Sequence, residues 1–239
     1  INVGRSGRQY LGEAFERAPS QNFSFYIDGF LPTESINMVS AVAARSYITP
    51  ARFDVSANGQ PVYAHANIPT VGTSYDSYYF SNSGPASFSF QSQTPQVTIN
   101  YLYNTPAGGA TAWLDYFEIN TNAQLTWYSS QVLYRVLAPT NAGGTQYTIT
   151  GANNTTRVFD VTVNGEVAEL IVDATANQAS FVNNTVAYTE FACINSASSF
   201  WVPQLVGKVS NQNLHGLTTV DALYITPDIF YAEAVRLAA

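Results

Sequence analysis

Apolar side chains recur at every second position in short runs along this chain, and turn-forming residues interrupt each run. A period of two is the mark of a strand with one face buried, because successive side chains point to opposite sides of a sheet. Asn22 to Asp28 alternates, with Phe23, Phe25 and Ile27 on one face. Phe53, Val55 and Ala57 alternate into Asn58-Gly59, and Val62, Ala64, Ala66 and Ile68 resume beyond it. Asn-Gly between two such runs predicts a hairpin, since both turn positions need φ > 0. Val97 to Tyr103 alternates again, and Trp113 to Ile119 follows with Trp113, Phe117 and Ile119 expected on one side. Further short strands are expected at Val132 to Leu137, Gln146 to Thr150, Val158 to Val163, Val167 to Val172 after Asn164-Gly165, Ala187 to Cys193, and Phe200 to Val202.

This density of short alternating runs predicts a mostly β chain of two antiparallel β-sandwich or jelly-roll domains. Its 239 residues exceed one ordinary domain of roughly 150. The expected division is an N-terminal sandwich over 1–128 and a second over 129–212, with Ala138 to Gly144 the most linker-like stretch. Residues 213–239 change character. Val220 to Ile225 is apolar without alternation, as in a strand covered on both faces. Thr226 is a candidate helix cap, Pro227 suits a first helical position, and Phe230, Ala234 and Leu237 follow at helical spacing. A strand followed by a helix opens a βαβ unit, so 213–239 reads as the start of a truncated α/β domain, with Leu223, Ile225 and Phe230 unusually exposed. The chain opens at Ile1 without an export segment, consistent with a removed signal or a start inside a longer protein.

Charged residues make up only 10% of the chain, against an average of about 25%, so its polar exterior must be built from Ser, Thr, Asn and Gln. The formal net charge is −7, with Lys208 the only lysine. An acidic chain without a basic cluster does not suit a phosphate backbone, which argues against nucleic acid as a partner. No apolar run approaches the ~18 residues of a membrane-spanning helix. One cysteine, Cys193, forms neither an internal disulfide nor a cysteine-built metal site.

Several segments in order resemble one family: Tyr10 to Phe15 before Phe23-Ser-Phe25; Ser40 to Ser46 leading to Phe53-Asp-Val and an Asn-Gly turn; Trp113 to Asn120 followed by Gln124-Leu125; then Val158 to Thr162, Val209 to His215 and Asp221 to Pro227. Together they resemble the region before the peptidase domain of type IX secretion-system sortases, gingipain-like cysteine peptidases of the C25 type found in Bacteroidetes. The resemblance spans nearly the whole chain. It implies a parent protein exported to the periplasm or outer-membrane surface. That parent removes C-terminal sorting signals from cargo and joins the new end to a surface anchor. It also implies that the catalytic His and Cys lie beyond Ala239, so no catalytic residue is carried onto this chain. The implied partners are the downstream peptidase domain, secretion-system components and cargo. The alternative is a carbohydrate-binding or adhesion β-sandwich module of a bacterial surface protein.

The residues themselves offer few sites. Cys193 and the distant His215 are a weak basis for a dyad, and the strand-like run around Cys193 favours burial. His65 alternates with Tyr63 and Asn67, which predicts a place on the polar face of the hairpin. It lacks the neighbouring ligands a metal requires, so a solvated or hydrogen-bonded histidine is expected. Asp115 and Glu118 differ by three positions and face opposite sides of a regular strand, so they form no acid–base pair unless a bulge intervenes. Tyr75, Asp76, Tyr78 and Tyr79 form an aromatic-polar cluster suited to an exposed glycan-binding patch, with Tyr116 facing outward on its strand. The sequons at Asn22, Asn153, Asn154 and Asn183 read as turn chemistry. No phosphate loop or serine nucleophile elbow occurs, and no cofactor or metal is indicated.

Overall fold

The computed structural model describes residues 9–16, 18–72, 80–104, 110–137, 143–184, 187–200, 202–208, 216 and 224–238. The chain divides into two units, Ile1–Ser198 and Ser199–Ala239.

Among its described residues the first unit holds only β-strands, antiparallel in their sheets. Its leading strands are β1 (Ser20–Tyr26), β2 (Ile36–Arg45), β3 (Ala51–Ala57), β4 (Gln60–Ile68), β5 (Ser81–Phe90), β6 (Gln96–Asn104) and β7 (Thr111–Asn120). They form two sheets, ordered β1-β6-β3-β4 and β5-β2-β7. Both contribute to one core, with Met38 and Val42 of β2 and Leu114 of β7 packed among Phe53, Ile99 and Tyr101. That is the sandwich arrangement, in which alternate residues of two inner faces fill a shared layer. The expected hairpin closes β3 onto β4: Ala57 pairs with Gln60, and Asn58 and Gly59 take φ of 47° and 80°.

A second pair of sheets follows: β8 (Gln131–Val136), β9 (Thr145–Thr150), β10 (Thr156–Val163), β11 (Glu166–Leu170), β12 (Asp173–Ala174), β13 (Gln178–Asn183) and β14 (Thr189–Asn195). The orders are β11-β10-β14-β8 and β12-β13-β9. Ile149, Val158, Phe181, Phe191 and Cys193 make their common core. At the Asn164-Gly165 turn only Gly165 takes a positive φ, 85°; Asn164 does not share the conformation of Asn58. Phe200 and Val202, expected in a short strand, belong to none and are 46% and 86% exposed.

Strands β2, β5, β12 and β13 are not among those expected from the sequence, and β2 shows one reason. Ala41, Val42, Ala43 and Ala44 are all buried, so both faces of the strand are covered and the period of two disappears. The outer cover is the segment around Leu11, which packs with Trp113 and Ala43. Three backbone hydrogen bonds hold that segment on β7: Gly12 N donates to Leu114 O at 2.7 Å, Leu114 N to Glu13 O at 3.0 Å, and Phe15 N to Ala112 O at 2.9 Å.

The same contact corrects the expected face of Trp113. Val42 pairs with Leu114 and Ala41 with Tyr116, leaving Asp115 as the extra residue of a β-bulge. A bulge breaks the strict alternation of a strand. Leu114, Phe117 and Ile119 therefore face the inner core, while Trp113 joins Leu11 in the outer cluster.

Strand β5 carries Gly84-Pro85 in a second bulge, between the pairs Ser40–Ala86 and Val42–Ser83. Proline has no backbone N–H to donate, and an edge-strand bulge asks for none. Gly84 has φ of +109°, and a Cβ there would lie 2.5 Å from Ser40 O. Only glycine fits this close approach.

In the second unit, a 3-10 turn (Asp228–Phe230) leads into α1 (Tyr231–Ala238). Pro227, not Thr226, occupies the capping position, and no side chain caps the turn. The Thr226 hydroxyl instead donates to Pro227 O at 3.2 Å. Of the strand expected over Val220 to Ile225, residues 220–223 lie outside the described residues, and Tyr224 and Ile225 are not in a strand. Ile225 is 90% and Phe230 55% exposed, as expected, and α1 buries no residue.

Candidate functional site

Cys193 is a core residue. It pairs with Val158 on one side and Val132 on the other, and it is fully buried. Burial pushes its thiol up to about 12, the opposite of the lowered value that makes a cysteine nucleophilic. His215, the other residue of the dyad weighed from the sequence, lies outside the described residues.

His65 is not on a solvated face. It pairs with the buried Phe53 of β3, and direct cross-strand partners share a face, so its ring points into the first sandwich. There it is 1% exposed. Its Nε2 lies 3.0 Å from Ser40 Oγ and its Nδ1 3.2 Å from Ser83 Oγ. Ser40 Oγ is also 2.7 Å from the Tyr101 hydroxyl. Tyr63, on the same face, stacks on Phe88 at 4.6 Å and meets the imidazole edge-on at 5.0 Å. Burial lowers His65 to about 4 and raises Tyr101. The imidazole is thus a neutral hydrogen-bonding group that ties β4 to the opposite sheet. A serine beside a histidine suggests a nucleophile and its base, but these two are sealed from any substrate.

The bulge at Asp115 removes the alternation that would have kept Asp115 and Glu118 on opposite faces. Asp115 is nevertheless engaged: Gln9 Nε2 donates to its Oδ2 at 3.0 Å and to Asn82 Oδ1 at 3.4 Å. Tyr116 beside it is 40% exposed, as expected for an outward side chain. Tyr75, Asp76, Tyr78 and Tyr79 lie outside the described residues, so Tyr116 alone of the expected patch is placed. Asn153 does act in a turn, accepting at Oδ1 from Thr155 N at 3.0 Å and Thr155 Oγ1 at 2.6 Å. Among the described residues no three His, Cys, Asp or Glu side chains gather as a metal site, and no helix is long and apolar enough to cross a membrane.

The concave site that the sequence did not disclose is in the second sandwich. A cleft of about 380 Å³ is walled by Asp160 and Thr162 of β10, Glu166 and Val167 of β11, and Tyr188 and Thr189 where β14 begins. A bulge between Asp160 and Val163 shapes it, since a bulge bends its strand and increases the local twist. Asp160 pairs with the buried Phe191 and with Ala168, so its carboxylate stands on the inner face of the sheet. It accepts from Thr162 N at 2.9 Å and Thr162 Oγ1 at 2.5 Å. The same hydroxyl accepts from Glu190 N at 3.0 Å. Glu190 accepts from the Tyr188 hydroxyl and from Arg135 Nε at 2.7 Å. These donors, Tyr188 first, hold the Glu190 carboxyl below its ordinary value. Glu166 has no side-chain partner among the described residues. The cleft therefore presents the held carboxylate of Asp160, the unpartnered carboxylate of Glu166 and the hydroxyls of Thr162, Tyr188 and Thr189 beside the apolar Val163, Val167 and Ala168. Its only sequence signal was the carboxylates flanking Asn164-Gly165.

No family model matches this sequence, and no curated protein matches it. Among solved structures, the chain is similar to the crystal structure of dimeric latent PorU from Porphyromonas gingivalis. The TM-score is 0.70 and the identity 22%, over 99% of this chain and 23% of that one. This chain thus spans less than a quarter of the length of that protein, and the likeness is one of fold.

Proposed function

We propose that this chain is a non-catalytic β-domain region of an exported, gingipain-like sortase of type IX secretion. In this reading, 1–128 and 129–212 are its two sandwich domains, and 213–239 opens the α/β peptidase domain. The sandwiches support and orient that domain and contact cargo or secretion components at the periplasmic or outer-membrane face. The parent removes C-terminal sorting signals and attaches cargo to a surface anchor. The observation that carries this reading is the PorU-like fold along 99% of the chain, joined to the ordered set of sequence segments. The buried Cys193 and sealed His65 also favour a supporting role, because neither can reach a substrate.

The test is the reading frame of the parent gene, followed by removal of codons 1–198 from it. The expected result is an α/β domain with a His and a Cys after Ala239, and cargo that retains its C-terminal signal in the deletion strain. A stop codon, or continuation into a glycosidase or repeat array, overturns the proposal.

A further inference from the structure

The cleft beside β11 lies at the end of a sheet, and its chemistry selects one kind of occupant. We propose that an extended peptide segment bearing lysine or arginine adds to the free edge of β11 and lodges a cationic side chain between Asp160 and Glu166.

Among the described residues, strand β11 is terminal in its sheet. An edge strand offers unpaired N–H and C=O groups to another extended chain, and peptide-binding domains use this mode of recognition. Natural edges are blunted by proline or by charge, especially lysine. Glu166 to Leu170 contains neither proline nor lysine; its only charges are Glu166 and Glu169, which repel acidic strands but not a basic one. Val167 is 64% exposed. An added strand sends alternate side chains to each face of the sheet, and one of those faces is the cleft.

Charge then decides which side chain enters. The walls hold the carboxylates of Asp160 and Glu166, and neither Lys nor Arg lines them. The two arginines on strands of this sheet are each paired with another carboxylate: Arg157 with Glu169 at 2.6 Å and Arg135 with Glu190 at 2.7 Å. Val163, Val167 and Ala168 line the remainder, which suits the methylene stem of a long cationic side chain. The volume, about 380 Å³, admits such a side chain. A second copy is a poorer occupant. Pairing β11 with itself sets Glu166 and Glu169 among like charges, on chains that each carry −7, and opposed like charges weaken strand pairing.

The experiment titrates the full 239-residue chain into a fluorescein-labelled Thr-Lys-Val-Lys-Thr peptide at low salt, followed by anisotropy. The control peptide has Glu in place of Lys. Expected is saturable binding of the lysine peptide only, weakened by added salt. Glu166→Lys should weaken it about tenfold or more, as for a reversed charge at an interface. Val167→Pro should abolish it by blocking the edge. Glu166→Lys changes an exposed side chain, so it reads out the site even if the proline variant folds poorly. Equal binding of both peptides, no saturable binding, or binding indifferent to Glu166→Lys overturns the proposal. So does a concentration-dependent dimer that Val167→Pro dissolves, which would assign the edge to a second copy.

Discussion

Ser40 on β2 and His65 on β4 are joined at 3.0 Å through the interior of the first sandwich, where neither is more than 1% exposed. The Tyr101 hydroxyl, 2.7 Å from the same serine oxygen, extends the link to β6. The two sheets are therefore connected by a satisfied polar network as well as by apolar packing.

Ser40→Ala leaves both the imidazole and the phenol short of a partner. Leaving a buried polar group unpaired costs about 1–3 kcal/mol, so denaturant titration should show a loss of that order. Tyr101→Phe removes one partner while leaving the Ser40–His65 bond, and should cost less. Additive losses in the Ser40→Ala, Tyr101→Phe double mutant would show that the network is not coupled.

Stability should fall on mild acidification. Burial depresses His65 to about 4 in the fold, whereas an unfolded histidine titrates near 6.5. Between those values the unfolded chain binds the extra proton. The stabilisation is therefore complete above about pH 6.5 and is lost toward pH 4, by up to roughly 3 kcal/mol. His65→Asn should flatten the pH dependence of the unfolding midpoint over that window. An unchanged slope would mean that other groups set it. Asp54, held low chiefly by Arg52, and Glu169, held low by Arg157, lose their contributions in the same direction at lower pH.

Leu11→Ala should uncover Trp113. Both are at least 96% buried in one small outer cluster. Emptying a buried leucine site typically costs roughly 2–5 kcal/mol. The checks are thermal unfolding and acrylamide quenching of tryptophan emission, which should become more efficient.

Gly84→Ala should destabilise the first sandwich, because φ of +109° and a Cβ 2.5 Å from Ser40 O cannot both be relieved without moving backbone. A strained backbone position of this kind costs roughly 1–3 kcal/mol. The shift should reach Ser83 and so be visible in the NMR signals of the His65 ring.

Cys193 should resist thiol reagents in the native state and react only on unfolding. Its thiol is fully buried and pushed up to about 12, so little thiolate exists to attack. Rapid labelling of the folded chain would show that the second sandwich opens readily.

Where one face met solvent, the period of two was sufficient: Phe53, Val55 and Ala57 are all core residues, and the Asn58-Gly59 hairpin closes as its dihedral demands require. Where both faces were covered, as along Ala41 to Ala44, the sequence carried no strand period to detect. In β5, Ala86, Phe88 and Phe90 alternate after Pro85, but that the proline is accommodated within the strand depends on a bulge set by the pairing with β2 and not by the local residues. Bulges also redirected side chains. One extra residue at Asp115 sent Trp113 outward, and the register of β4 turned His65 inward beside Phe53.

The candidate cleft follows the same division. Asp160, Glu166 and Tyr188 are ordinary surface residues in the sequence, separated by up to 28 positions. Their gathering depends on how β10 pairs with β11 and β14. The sequence by itself determined the β class, the hairpin turns and a scaffold poor in charge, because alternation and turn dihedrals are local. Only the tertiary structure decided which face each polar side chain occupies, since register and bulges are set by the partner strand.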